Sequence, residues 1–274
     1  MSSKVNYGKY RVNTDGLVFR VDGYSHRSRE HNSEYWRDLT PSGIDVKLEN
    51  SGLYDETSGY YKFRAGASNN TYAAVSGDSF TDLTSLGVFK DNDSSFTIEA
   101  FFQIKTGKST ESDDGAVIFG NTDHNKSGYS YGFVVSTGEG GGVSGLNAVL
   151  ASVKSDEGTN HPWTGITGVL SDPSSPSVLP DNFYHAAMTY SALDGLTVSY
   201  LNGVAKNSEQ LPNDTDLMNG SGLSTHYDQL YIGGNSSSGI NVDIGMVSAY
   251  NRALSSGEVF GNCQSVKHRY GGGY

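Results

Sequence analysis

The chain has 274 residues, with 19 Lys+Arg against 30 Asp+Glu and a formal charge of −11. That balance argues against nucleic acid or anionic lipid as the main partner, because both are held by clustered Lys and Arg. A single cysteine, Cys263, excludes an intramolecular disulfide framework and a multi-cysteine zinc site. The 35 Gly, 18 Tyr and 11 Phe suit strands and turns better than helix interiors and point to an all-β protein. The opening MSSKVNYGKY lacks the apolar run of a signal peptide, and no stretch reaches the length of a membrane span. Synthesis in a cytoplasm, without membrane insertion, is the expectation.

In chain order, residues 1–14 are polar and read as an N-terminal arm. Leu17, Val18, Phe19 and Val21 form a short apolar strand. Residues 23–34 read as a polar loop, closed by Trp36-Arg37-Asp38-Leu39-Thr40-Pro41. Strands are expected at 60–63 and 72–75, with a turn at 66–71 between them. Residues 95–104 alternate, with Phe96, Ile98, Ala100 and Phe102 on one face, the period of a half-buried strand. Further strands are expected at 116–119, 131–135 and 147–153, with a Gly-rich turn at 138–142. Residues 155–182, with Pro173, Pro176, Pro180 and His161-Pro162-Trp163, have no period and read as a functional loop or a surface excursion.

Strands resume at 184–190 and 196–201, followed by the hairpin signal Asn202-Gly203. Residues 231–234 and 242–250 complete the set. One short helix is expected around 256–264, with Ser255 as N-cap and Glu258 three residues later. No internal repeat or linker divides the chain. The expected organisation is one domain over 15–271, with a long insertion at 138–182 and a tail at 272–274. About a dozen short strands without βαβ alternation imply a two-sheet antiparallel sandwich of jelly-roll type.

The order of the short motifs resembles the laminin-G-like, concanavalin A-like lectin/glucanase jelly rolls, especially those of tailed-bacteriophage structural proteins. The resemblance is carried by Leu17-Val18-Phe19-Arg20-Val21-Asp22-Gly23, by Trp36-Arg37-Asp38-Leu39 and by Gly59-Tyr60-Tyr61-Lys62-Phe63. It continues through Phe96-Thr97-Ile98-Glu99-Ala100-Phe101, Phe183-Tyr184-His185-Ala186-Ala187-Met188, Tyr200-Leu201-Asn202-Gly203 and Ile232-Gly233-Gly234. The closest stretch is Asp243-Ile244-Gly245-Met246-Val247-Ser248-Ala249-Tyr250-Asn251-Arg252-Ala253-Leu254-Ser255, before an Asn262…Lys267…Arg269-Tyr270-Gly271 ending. Structural roles are expected for Trp36, capping one edge of the sandwich, and for Tyr250 and Leu254, anchoring the last strand and the helix entrance onto the core.

Glycoside hydrolases of this superfamily need two glutamates close together on one strand. Here Glu99 stands alone on its strand, while Glu30, Glu34, Glu111, Glu139 and Glu157 are scattered through loops. No catalytic residue is nominated, and His185 reads as a packed or hydrogen-bonded strand residue. Relatives often hold Ca²⁺ between the first and last strands, which implies Asp22 and Asp243 as the candidate pair, although a hard cation needs six or more oxygens. No cofactor is otherwise required. For glycan binding the candidates are Asn160, His161 and Trp163 in the insertion, with Asn125, Tyr129 and Tyr131 in the 121–131 loop.

The function implied first is a non-enzymatic bacteriophage virion protein, a capsid decoration or head-fibre component, otherwise part of the tail or neck. Its partners would be other virion proteins and further copies of itself, with 1–14 and 269–274 as docking segments. The alternative is a carbohydrate-binding module for a host surface polysaccharide.

Overall fold

The structure, a computed structural model, describes residues 11–29, 34–50, 53–55, 57–65, 70–76, 85–88, 94–105, 116–120, 131–138, 142–150, 182–210, 229–234, 239 and 241–270. The strands form two antiparallel sheets. The eight-stranded sheet runs β13 (Val204–Gln210), β12 (Leu196–Leu201), β11 (Phe183–Ser191), β7 (Phe96–Ile104), β15 (Val242–Tyr250), β5 (Tyr60–Phe63) and β4 (Leu53–Asp55). Its eighth strand, β1 (Leu17–Asp22), shares the outer edge of β15 with β5. The seven-stranded sheet runs β10 (Gly142–Leu150), β9 (Tyr131–Gly138), β8 (Ala116–Gly120), β14 (Gln229–Ile232), β6 (Tyr72–Ser76), β3 (Val46–Glu49) and β2 (Tyr35–Trp36).

The alternation in β7 sets one face. Phe96, Ile98, Ala100, Phe102 and Ile104 enter the core between the sheets with Phe19, Val21, Met188, Ile244 and Val247. The opposite row, Thr97, Glu99, Phe101 and Gln103, is buried as well. A strand that reads as half-buried is therefore covered on both faces. The cover is α1 (Ser256–Val266), continued by a 3₁₀ turn at Lys267–Tyr270. Tyr270 stacks on Phe101 and Phe183 at 4.8 and 5.0 Å between ring centres.

Local chemistry explains the ends. Ser255 caps α1 in a capping box, its hydroxyl accepting from Glu258 N while its own N donates to the Glu258 carboxylate. An Arg252 guanidinium on the same carboxylate holds it well below its ordinary value, at about 2, assisted by Ser255 and opposed by partial burial. Asn202 and Gly203 both take positive φ, 54° and 79°, the geometry of a two-residue hairpin turn matched to strand twist. In the Trp36-Arg37-Asp38-Leu39 motif, the Asp38 carboxylate accepts from the backbone of Arg20, Thr40 and Ile44 and so shapes the turn beyond β2.

Several elements differ from the sequence expectation. Trp36 sits on an edge strand, but its ring is fully buried between the sheets, 4.4 Å from Tyr61. Tyr250 and Leu254 anchor the helix on the far face of the eight-stranded sheet, with Val259, Ala187 and Tyr200, and not on the inter-sheet core. Strands β2, β3 and β4, of two to four residues, are too short to show a period. The strand expected at 147–153 occupies 142–150, so part of the expected insertion belongs to a sheet edge. The rest of that insertion, 139–141 and 151–181, and residues 1–10 lie outside the described residues.

Gly233 has φ +76°, and a Cβ there would lie 2.3 Å from Cγ of Phe63. Gly233→Ala is expected to cost more than about 1 kcal/mol in urea unfolding, since both the backbone and the Phe63 ring must shift.

Candidate binding site

Among the described residues, the outward rows of the eight-stranded sheet carry most of the buried polar groups, and α1 closes over those near Glu99. Glu99 from β7 and His185 from β11 are both inaccessible to water. Both Glu99 oxygens accept from Asn262 Nδ2 of α1 at 3.0 Å, and the same nitrogen lies 2.9 Å from the Tyr250 hydroxyl. Asn262 Oδ1 accepts from Asn13 N at 2.7 Å, and the Tyr250 hydroxyl donates to Asn13 O at 3.2 Å. Residues just before β1 are thereby tied to the helix. The Tyr250 phenol is driven far above its ordinary value by burial and by the Glu99 charge.

His185 Nε2 lies 3.6 Å from Glu99 Oε1, an ion-pair distance rather than a hydrogen bond. Burial pushes the imidazole down, but Cys263 of α1 and Glu99 outweigh it and raise its pKa to about 9. A base or nucleophile must reach its substrate, and Glu99, His185 and Cys263 are sealed beneath the helix. The expected reading of His185 as a packed strand residue agrees with this placement. Gly128-Tyr129-Ser130-Tyr131-Gly132 spells Gly-x-Ser-x-Gly, but it runs into strand β9, without the strand–turn–helix context of a nucleophile elbow.

Because the folded pKa of His185 exceeds the unfolded value, its stabilisation is complete below about pH 6.5 and fades as pH rises through about 9. Urea unfolding between pH 6 and pH 10 is expected to show a loss on the order of 3 kcal/mol, and His185→Gln should flatten that slope.

The two aspartates implied as a calcium pair are both buried, yet each is already engaged by cations. Asp22 Oδ2 receives Arg20 Nη2 and Arg269 Nη1, each at 2.7 Å, and Oδ1 accepts from Tyr24 N. Asp243 meets Arg64 Nη2 at 2.7 Å and Lys105 Nζ at 3.5 Å. The register sets Asp22 opposite Met246, three residues along β15 from Asp243, or roughly 10 Å of strand. Among the described residues no group of three or more His, Cys, Asp or Glu side chains is arranged to hold a metal. The residues present do not fit calcium. Neither added Ca²⁺ nor EDTA is expected to move the melting temperature.

Of the glycan candidates, Asn125, Tyr129, Asn160, His161 and Trp163 lie outside the described residues. Tyr131 opens β9, in the same row as Phe133, which stands opposite the buried Phe119. The register also sets Gly120, Tyr131 and Leu150 near one another at one end of the seven-stranded sheet. The chain therefore leaves β8, enters β9 and leaves β10 at that same end. Asn262, Arg64 and Lys105, which govern the buried carboxylates, carried no site signal in sequence, since their partners come from distant strands.

Residues 68–260 match a family model described as the concanavalin A-like lectin/glucanases superfamily. No curated protein matches the chain in sequence. Among solved structures, a Trypanosoma rangeli sialidase aligns with a TM-score of 0.57 at 16% identity, over 94% of this chain and 34% of that one. Botulinum neurotoxin type C, whose cell entry depends upon interaction with two ganglioside molecules, aligns with a TM-score of 0.63 at 13% identity, over 92% and 51%. The binding domain of botulinum neurotoxin serotype D aligns with a TM-score of 0.59 at 12% identity, over 90% and 51%. These likenesses establish the fold alone, and the chain spans about a third of the sialidase chain and half of the neurotoxin chains.

Proposed function

We propose that this chain, which belongs to the concanavalin A-like lectin/glucanase superfamily, is a non-enzymatic, lectin-like module that binds carbohydrate. The observation that carries the reading is the register of β8, β9 and β10, which brings Gly120, Tyr131 and Leu150, the residues that flank the sequence segments containing Asn125, Tyr129, Asn160, His161 and Trp163, to one end of the seven-stranded sheet. Loops held at one end of a sandwich are where such folds place binding residues. Aromatic rings beside amide and imidazole groups suit a sugar, which offers an apolar face to stack and hydroxyls to pair. The ganglioside dependence of the type C neurotoxin supports carbohydrate as the ligand class. The non-enzymatic reading is supported by the burial of Glu99 and His185.

The setting we propose is a bacteriophage particle, with the chain displayed as a capsid decoration or head-fibre protein, or in the tail or neck. The support for it is the ordered motif resemblance from Leu17 to Arg269. A host surface polysaccharide is then the natural ligand, and repeated copies on a particle would raise weak single-site affinity.

Calorimetry against host surface polysaccharide is expected to show binding without release of reducing ends. Trp163→Ala should weaken it at least about tenfold, the scale of one aromatic anchor. Undiminished binding by that variant sinks the loop assignment. Purified particles should contain the chain in fixed stoichiometry, and finding it solely as a free secreted monomer sinks the virion setting.

A further inference from the structure

We propose that Tyr24 and Arg269, beside the end of β1, form a second ligand contact, a subsite for the ring and carboxylate of a uronic acid. It rests on the carbohydrate-binding reading but uses different residues. Strand β1 ends at Asp22, and Gly23 then runs so close to Gly59 that a Cβ on it would lie 2.5 Å from Gly59 O. Tyr24 N turns back to donate to Asp22 Oδ1 at 3.1 Å. Gly59 has φ +74°, and a Cβ there would meet Tyr24 Cδ2 at 2.8 Å. The two glycines thus permit the close crossing that seats the Tyr24 ring. From the C-terminal 3₁₀ turn, Tyr270 meets that ring edge-on at 6.3 Å, and the Arg269 guanidinium lies over it, 5.7 Å from its centre.

The charges behind this ring leave one cation over. Asp22 is buried and is already paired at 2.7 Å with Arg20, which is buried as well. Arg20 also feels the Glu99 carboxylate, which His185 faces at 3.6 Å. His185 stays protonated at neutral pH, its pKa raised to about 9. Two buried carboxylates therefore meet two buried cations, and a buried charge needs no more than one such partner. Arg269 brings a further cation to Asp22 Oδ2 at 2.7 Å, and its side chain is 26% exposed. In a chain of charge −11, a surplus cation held at the surface is a local complement for an anion.

Both groups are open to solvent and set in place beforehand. Tyr24 is 52% exposed. Arg269 Nη1 donates to Asp22, and among the described residues its other four N–H groups have no hydrogen-bond partner. The planar fork remains for a carboxylate. A basic side chain after a helix can also serve the last carbonyls, but this guanidinium is spent on Asp22 and Tyr24 instead. Holding it on the aspartate, and the ring against Gly59, removes part of the entropy cost of binding. A uronic acid matches the pair, with its carboxylate on Arg269 and its apolar ring face on the exposed part of Tyr24. A neutral sugar would use the ring alone.

The test is an NMR titration of the full chain with methyl glucuronide, methyl glucoside and inorganic sulfate at low and high salt. The glucuronide is expected to bind about fivefold more tightly than the glucoside, the scale of one exposed charge pair, and the preference should shrink as salt rises. It should also shift the Arg269 Nε–H and Tyr24 amide resonances. Arg269→Gln leaves Asp22 paired with Arg20, so it should abolish the preference and leave the glucoside unchanged. Tyr24→Ala, which alters no charge, should weaken both sugars and serves as the independent variant if R269Q does not fold. Equal affinity for the two sugars, a preference surviving in R269Q, or unchanged binding of both by Y24A overturns the subsite. Sulfate binding as tightly as the glucuronide overturns its assignment to a sugar acid. Binding of a neutral host polysaccharide through Trp163, with no preference for the glucuronide, overturns the subsite and leaves the wider lectin reading intact.

Discussion

The constraint on which the rest of the structure depends is the burial of the eight-stranded sheet on both faces. One face packs on the seven-stranded sheet, and α1 with its 3₁₀ extension covers much of the other. All nine residues of β7 and of β15 are buried. In a half-exposed strand Glu99, Ser248 and Asp243 would be solvated. Here each must find its partner inside the protein, because an uncompensated buried charge costs several kcal/mol.

The solutions differ along the sheet. Under α1, Glu99 is satisfied by Asn262 and faced by His185, and that network also recruits Asn13 from the segment before β1. Towards the strand ends, Asp22 is met by the buried Arg20 and by a partly exposed Arg269, and Asp243 by Arg64 and Lys105, whose side chains are partly exposed. The first arrangement fixes the helix and removes Glu99 and His185 from any chemistry with a substrate. The second converts positions that resemble cation ligands into supports for cationic side chains. The same residue type, an aspartate on the outward row, thus ends in the opposite electrostatic role from the one its motif position suggests.

Much of the architecture was legible in the sequence, for identifiable reasons. The inward row of β7, the Asn202-Gly203 hairpin and the capping box of Ser255 and Glu258 are local patterns, each written within ten residues. The far-face cluster was not legible, because Tyr250, Leu254 and Val259 meet Ala187 and Tyr200 only after the chain has folded back. The aspartates show the same limit from the other side. Asp22 and Arg20 are two residues apart, but Arg269, the second cation, is 247 residues away. Asn262 belonged to a recognisable C-terminal motif, yet its work on Glu99 depends on a partner 163 residues earlier.

By itself the sequence determined the fold class, the order of the main strands and the family, because periodicity, turn chemistry and motif order are properties of neighbouring residues. It also determined the absence of a paired-glutamate motif on any strand. Only the tertiary structure decided which face of the eight-stranded sheet is sealed, that Glu99 and His185 lie beneath a helix, and that Asp22 and Asp243 are claimed by cations. The physical reason is that burial and charge compensation are set by contacts between residues far apart in the chain, and no local pattern encodes them.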